Sequence, residues 1–173
     1  MVAMLSQWSK QRPSWALLFI SALTLELTAL YFQHGMGLQP CIKCIYQRTA
    51  MFGILFGALL PLLNNTSLTR LIAYGIWGLS AVWGFIIAYE HVDILSAPNP
   101  FFAPCEIVPN FPSWLPLHEW LPDVFAATGD CLDDSWQFAG MGMAQWMMVV
   151  FGFYVALLAV VLAARLIHIF KRP

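Results

Sequence analysis

Apolar residues dominate four stretches of the chain, 15–32, 45–63, 71–89 and 146–164, and polar residues collect between them. Each stretch is 18 or 19 residues long, close to the roughly 20 that carry a helix across the hydrocarbon core of a bilayer. One such run could be a buried helix of a soluble domain, but four in a single chain of 173 residues predict four membrane-spanning helices. The first run follows Lys10 and Arg12, as a signal peptide would. It lacks a small-x-small cleavage site, contains Glu26 and is too long for a signal core, so it reads as a retained span. There is no internal repeat or low-complexity tract, and residues 1–173 read as one domain.

Composition agrees with this pattern. The chain is 60% hydrophobic and 10% charged, with a mean hydropathy of +0.71, against roughly 25% charged residues in soluble domains. A formal net charge of −1 gives no reason to expect a nucleic-acid partner. The distribution of charge is more informative than its sum. Lys10 and Arg12, Arg70, and Arg165 with Lys171 and Arg172 all flank one side of the four spans. By the positive-inside rule this side, with both termini, is cytoplasmic. The other side has Lys43 and Arg48 beside the first cysteine pair but no Lys or Arg over 90–145, and all four cysteines lie on that side, where disulfides persist.

The two outer loops, about 33–44 and 90–145, carry the candidate chemistry. In the first, Cys41-Ile42-Lys43-Cys44 places two thiols at the mouth of the second span. That spacing suits a reversible dithiol or half a zinc site. Pro40 suits the first turn of a helix, which puts both cysteines near the positive end of a helix dipole that favours thiolate. Arg48 is four residues beyond Cys44, on the same face, and its guanidinium can reach back toward that sulfur. An arginine in an apolar run is costly, and so is Glu26 in the first span. Glu26 is either functional or a quiet acid hydrogen-bonded to Thr24, Thr28 or another helix. His91 falls at the end of the third span, at the same interface as Cys44.

The second loop holds seven of the eleven prolines, which excludes a long helix there. Its Trp- and Leu-rich segment 113–121 predicts a short helix lying flat on the membrane face. Cys105 and Cys131 stand on either side of that segment. Four cysteines allow three pairings; proximity joins Cys41 to Cys44, which leaves Cys105 for Cys131. Bridging adjacent positions at a helix start constrains little, so the first pair reads as exchangeable and the loop pair as its relay. No Gly-x-Gly-x-x-Gly motif and no His after Cys44 are present, so neither a dinucleotide nor covalent haem is expected. A lipid-soluble oxidant, a quinone, fits what remains, with Arg48 stabilising negative charge on sulfur or quinone.

Residues 25–30 (Leu-Glu-Leu-Thr-Ala-Leu), Pro40-Cys41 with Cys44-Ile45-Tyr46-Gln47-Arg48, Tyr89-Glu90-His91 and the loop cysteines resemble the DsbB family of bacterial inner-membrane thiol oxidases. The resemblance extends over essentially the whole chain. It implies an all-α, four-helix transmembrane bundle with one short and one long, proline-rich periplasmic loop, the latter bearing the membrane-lying helix. It also implies that a periplasmic DsbA-like partner attacks Cys105 of a Cys105–Cys131 disulfide. Cys131 then attacks Cys41, and Cys44 passes electrons to ubiquinone beside Arg48, or to menaquinone without oxygen. His91 falls where the family's quinone pocket is expected. No metal is implied. Two departures stand out: Ile42-Lys43 where two apolar residues are expected, and Gln47 where Glu is common. Together they predict a more stable Cys44 thiolate. Three rivals remain: a vitamin K epoxide reductase-type thiol–quinone enzyme, a four-cysteine metal-binding membrane protein, and a scaffold with a structural loop disulfide.

Overall fold

The computed structural model describes residues 2–97, 105–106 and 108–170, with side chains from Met4 onward. Four long helices form an all-α membrane bundle: α2 (Arg12–His34), α3 (Ile42–Leu63), α4 (Ser67–Ser96) and α7 (Met143–Phe170). Each is long and apolar enough to cross a membrane. Ahead of them, α1 (Val2–Trp8) packs against α7. Between α4 and α7 the described residues form two single turns, α5 (Leu117–Trp120) and α6 (Pro122–Phe125). A two-strand hairpin follows, β1 (Gln137–Phe138) paired antiparallel with β2 (Met141–Gly142).

The helices outrun the apolar stretches that predict them. A hydropathy run stops at its first cluster of polar residues, whereas a helix continues while its backbone bonds are made and one face stays packed. In α4 the buried positions Trp77, Ala81, Gly84, Ala88 and His91 recur at alternating spacings of four and three, the seam of a coiled-coil-like contact. Small residues on that seam bring backbones close, as membrane helices do without a hydrophobic drive between them. A Cβ on Gly84 would overlap the Phe151 ring of α7, and one on Gly78 would lie 3.0 Å from Leu158. Because the same seam runs past Ala88, it turns His91 inward rather than to the interface expected of a helix ending at 89. Cys44, Arg48, Met51, Leu55 and Ala58 keep the same alternation on α3, and all but half-buried Cys44 are buried. Leu18, Ala22 and Glu26 are buried at four-residue steps on α2.

The end opposite the cysteines is closed by polar bonds from short segments. Thr66 caps α4 by accepting the Thr69 N–H at 3.2 Å, and the Thr69 hydroxyl accepts the Thr66 N–H in return at 3.0 Å, a reciprocal box. Tyr74 donates to the Ser9 carbonyl at 3.0 Å, and Asn65 donates to the Lys10 carbonyl at 2.9 Å. The amino-terminal tail is thus tied to the bundle.

The membrane-lying helix expected over 113–121 is not continuous. Pro116 and Pro122 each begin a single turn, and Leu121 between them has φ −133°, ψ 64°, outside the helical region. Proline starts a helix readily but cannot donate within one, so Pro122 ends the first turn and starts the second. Trp114 and Trp120 remain exposed. The hairpin had no expectation behind it. Its turn needs left-handed backbone at both Ala139 (φ 52°) and Gly140 (φ 78°), the geometry of a two-residue type I′ connection.

Candidate functional site

Helix α3 begins two residues later than Pro40 at its first position would suggest. Cys41 is the N-cap, with extended backbone (φ −78°, ψ 171°), and its sulfur accepts the Cys44 N–H at 3.4 Å. Pro40 therefore precedes the helix, and its carbonyl is free to act elsewhere. It accepts the N–H groups of Thr128 and Gly129, both at 3.0 Å. That double bond docks the segment before Cys131 against the segment before Cys41. A Cβ on Gly129 would lie 2.8 Å from the Gln39 carbonyl carbon and closer still to its oxygen, so the approach depends on glycine having none.

The docking brings the two cysteine pairs into one cluster. Cys105 and Cys131 form a disulfide across a separation of 26 residues, while Cys41 and Cys44 are free thiols with sulfurs 2.8 Å apart. Cys131, fully buried, packs with Cys41, Ile42 and Ile94, and half-buried Cys44 and Cys105 border them. A second set of contacts holds the Cys105 side of the loop. The Tyr46 hydroxyl donates to Glu106 at 3.3 Å and accepts the Asn110 N–H at 2.8 Å, with the Phe111 ring edge-on at 6.2 Å. Pro104 and its six preceding residues lie outside the described residues. Since Cys105 and Cys131 are joined to each other, a four-cysteine metal site is not assembled. Cys41, Cys44 and His91 place their ligand atoms within 4.8 Å of one another, and among the described residues they supply three ligands, one fewer than a closed zinc site takes.

Arg48 is 6% and Glu26 3% exposed, with Arg48 Nε 3.8 Å from Glu26 Oε2. Among the described residues the guanidinium makes no hydrogen bond to Cys44. Its Nη1 donates to Gln33 Oε1 at 2.7 Å and to the Val124 carbonyl of α6, so a buried arginine pins the loop to the bundle. Glu26 faces Arg48, whereas the Thr24 and Thr28 hydroxyls donate to their own helix's carbonyls. His91 reaches Cys41 rather than Cys44: its Nε2 is 3.7 Å from Cys41 Sγ and 3.2 Å from the Cys131 carbonyl oxygen. Lys43 forms a 2.7 Å ion pair with Glu90. Its charge is offset there, which removes the reason to expect it to stabilise a Cys44 thiolate.

These side chains border one cavity of about 490 Å³ between α2, α3, α4, α7 and the loop. Leu25, Ala29, Phe32, Met51, Met147 and Val150 form much of its apolar wall. Cys41, Cys44, Gln47, Arg48, Glu26 and His91 all line it. Four of its buried polar atoms have no hydrogen-bond partner among the described residues: Gln47 Nε2, Arg48 Nε, Glu26 Oε2 and His91 Nδ1. Such groups are rare in native interiors because each costs the desolvation it does not recover. Their concentration around one apolar space marks a ligand site.

In the dithiol, the hydrogen bond from the Cys44 thiol holds the Cys41 thiol down from 9.0 to about 5, with help from His91 and against the effect of burial. The charge that sequence reasoning assigned to Cys44 is thus favoured on Cys41 in this arrangement. Because the value is depressed, the thiolate is lost as pH falls through about 5 and persists above it. In reduced protein labelled with ¹³C-cysteine, the Cys41 Cβ resonance is expected to titrate near pH 5, and His91→Ala should move the midpoint up. A midpoint near the ordinary thiol value would overturn this assignment.

Sequence reasoning named Cys41, Cys44, Arg48, His91, Cys105 and Cys131, and all six meet around the cavity and the adjoining cluster. It missed Gln33, the Pro40 carbonyl, Gly129 and the functional placement of Gln47. Gln33 offered a signal, since it lies seven residues after Glu26 and so on the same helix face. The backbone groups offered none.

Comparison with known proteins agrees with this arrangement. The family described as "Disulfide bond formation protein DsbB" matches residues 11–161. A protein named "Disulfide bond formation protein B" from Pseudoalteromonas atlantica is 62% identical over 94% of this chain and 95% of its own length. Proteins of the same name from Psychromonas ingrahamii and Haemophilus influenzae are 54% and 43% identical, covering 86% and 99% of this chain and 80% and 97% of their own. With a disulfide oxidoreductase's two cysteine pairs side by side in a multi-pass membrane bundle, the chain belongs to the DsbB family of disulfide bond formation proteins.

Proposed function

We propose that this protein reoxidises a periplasmic dithiol oxidase of the DsbA type and passes the electrons to ubiquinone, or to menaquinone in the absence of oxygen. The observation that carries this reading is contiguity: a loop disulfide, a free dithiol and an apolar cavity with unpaired polar groups adjoin in that order. The reading places the protein in the bacterial inner membrane, with the cysteine end periplasmic and both termini cytoplasmic. Lys10, Arg12, Arg70 and Arg165 at the opposite end support that orientation.

Exposure favours the order of exchange. Cys105 is half-buried and Cys131 fully buried, so an incoming thiolate reaches Cys105 and displaces Cys131. The Cys131 thiolate then attacks Cys41, and Cys44 leaves with the electron pair at the cavity wall; the partner's second thiolate releases Cys105 from the mixed disulfide, and Cys105 attacks Cys131, re-forming the loop disulfide and freeing Cys41. His91, in contact with Cys41 and the Cys131 carbonyl, is placed to hold or release the proton that moves on Cys41.

The cavity fits a quinone. The apolar wall suits a flat ring, and Gln47 Nε2 and Arg48 Nε are buried donors without acceptors, matching the carbonyl oxygens that such a ring carries. Gln47, Arg48 and His91 would hold it; when bound, it supplies an acceptor for two electrons and two protons. In lipid nanodiscs, wild-type protein is expected to oxidise a DsbA-type dithiol with one ubiquinone reduced per disulfide formed. Oxidation at an undiminished rate with no quinone present would sink the proposal.

A further inference from the structure

The mechanism above leaves Glu26 without a task. It is a carboxyl group within a membrane helix, almost fully buried and lining the cavity, and its Oε2 has no hydrogen-bond partner among the described residues. Its one ionic neighbour, the Arg48 guanidinium at 3.8 Å, has an unpartnered Nε of its own. In a low-dielectric interior an uncompensated charge is costly, so the cavity favours one negative charge beside Arg48, neither none nor two. When Cys41 and Cys44 are joined, the Glu26 carboxylate supplies it. When that disulfide opens, the sulfur pair becomes a second anion lining the same space.

We propose that Glu26 takes up a proton as the Cys41–Cys44 disulfide opens and gives that proton to the electron acceptor as the disulfide re-forms. The inference rests on the quinone reading above and adds a proton path to it. The step balances. The reduced pair carries one proton between its sulfurs, consistent with their 2.8 Å separation, and protonated Glu26 carries a second. As the sulfur–sulfur bond forms, two electrons leave the pair and both protons leave with them, which converts a quinone to a quinol. Glu26 is then again a carboxylate facing Arg48. The net charge is the same before and after.

Other titratable groups around the cavity are placed differently. Cys44 and Arg48 come from α3, His91 from α4, and Asp130, Asp133 and Asp134 from the loop; α7 contributes only uncharged side chains such as Met147 and Val150. The three aspartates are exposed, and His91 is engaged with Cys41 and the Cys131 carbonyl. Glu26 alone combines burial, an unpartnered oxygen and contact with Arg48.

The test reads the carboxyl group directly. Full-length protein in nanodiscs without quinone is reduced with dithiothreitol, and the reduced-minus-oxidised infrared spectrum is recorded. Wild type is expected to gain one protonated-carboxyl band. The band should vanish in Glu26→Gln and in Cys44→Ser, persist in Cys105→Ala, and return at a shifted frequency in Glu26→Asp. Absence of the band in wild type overturns the inference without requiring any variant to fold. Its persistence in Glu26→Gln overturns it too. Glu26→Gln is further expected to slow quinone-linked turnover by roughly 100-fold while Cys105 still exchanges with a dithiol partner. If wild type oxidises the partner with quinone but shows no band, the proton path fails and the quinone reading stands. If quinone is not consumed at all, the quinone reading itself fails.

Discussion

Cys44→Ser is expected to lower quinone-linked turnover by at least roughly a thousandfold, the scale seen when a covalently acting residue is removed. Cys44 is the sulfur that both pairs with Cys41, 2.8 Å away, and lines the cavity. Without it Cys41 has no disulfide partner for Cys131 to break, and electrons have no exit toward the membrane. The loop disulfide is separate, formed by Cys105 and Cys131, so a partner dithiol should still reduce it once. Thiol trapping should therefore show a single stoichiometric turn and then arrest with the loop pair reduced. Continued turnover in Cys44→Ser would remove this sulfur from the relay.

Gly129→Ala is the second large effect, and it comes from backbone rather than from any reactive group. The new Cβ would fall 2.8 Å from the Gln39 carbonyl carbon and closer to its oxygen, so one of the two segments must move. Either movement breaks the pair of 3.0 Å bonds from Thr128 and Gly129 to the Pro40 carbonyl. Cys131 would then be withdrawn from Cys41, and misplacement on the order of 1 Å can cost roughly 100-fold in rate. The expected signature is selective: the partner still reduces Cys105–Cys131 normally, but transfer onward to Cys41–Cys44 slows about 100-fold. Thr128→Val keeps the backbone bonds and removes only the hydroxyl that donates to Gln39 Oε1, so it should slow transfer by less than tenfold. Equal transfer rates in wild type and Gly129→Ala would show that the clamp does not position the two pairs.

The corrections to the sequence reading have a common source. Lys43 looked like a stabiliser of the adjacent thiolate because the chain offers no sign of where its amine points. The partner that offsets it, Glu90, lies 47 residues away on another helix. Arg48 looked as if it turned back to Cys44, since both share a helix face. Its bonds run instead to Gln33 on α2 and to Val124 in the loop. His91 lies near Cys44 as its place at the end of the third span implies, but its bonds run to Cys41 and to the Cys131 carbonyl. In each case the bonding partner lies on another helix or in the loop.

Four spans, the shared end of the four cysteines and the presence of two misfit charges in lipid were all written in the chain. The reason is that each follows from a local cost: apolar length against bilayer thickness, and charge against hydrocarbon. The opposition of Glu26 to Arg48, the inward turn of His91 and the hold of the Pro40 carbonyl on the loop were decided only in three dimensions. They depend on how far each helix is rotated about its axis and how closely glycines and alanines such as Gly84 and Ala88 let neighbours approach. That rotation is fixed by the packing of all four helices together, so no single stretch of sequence contains it.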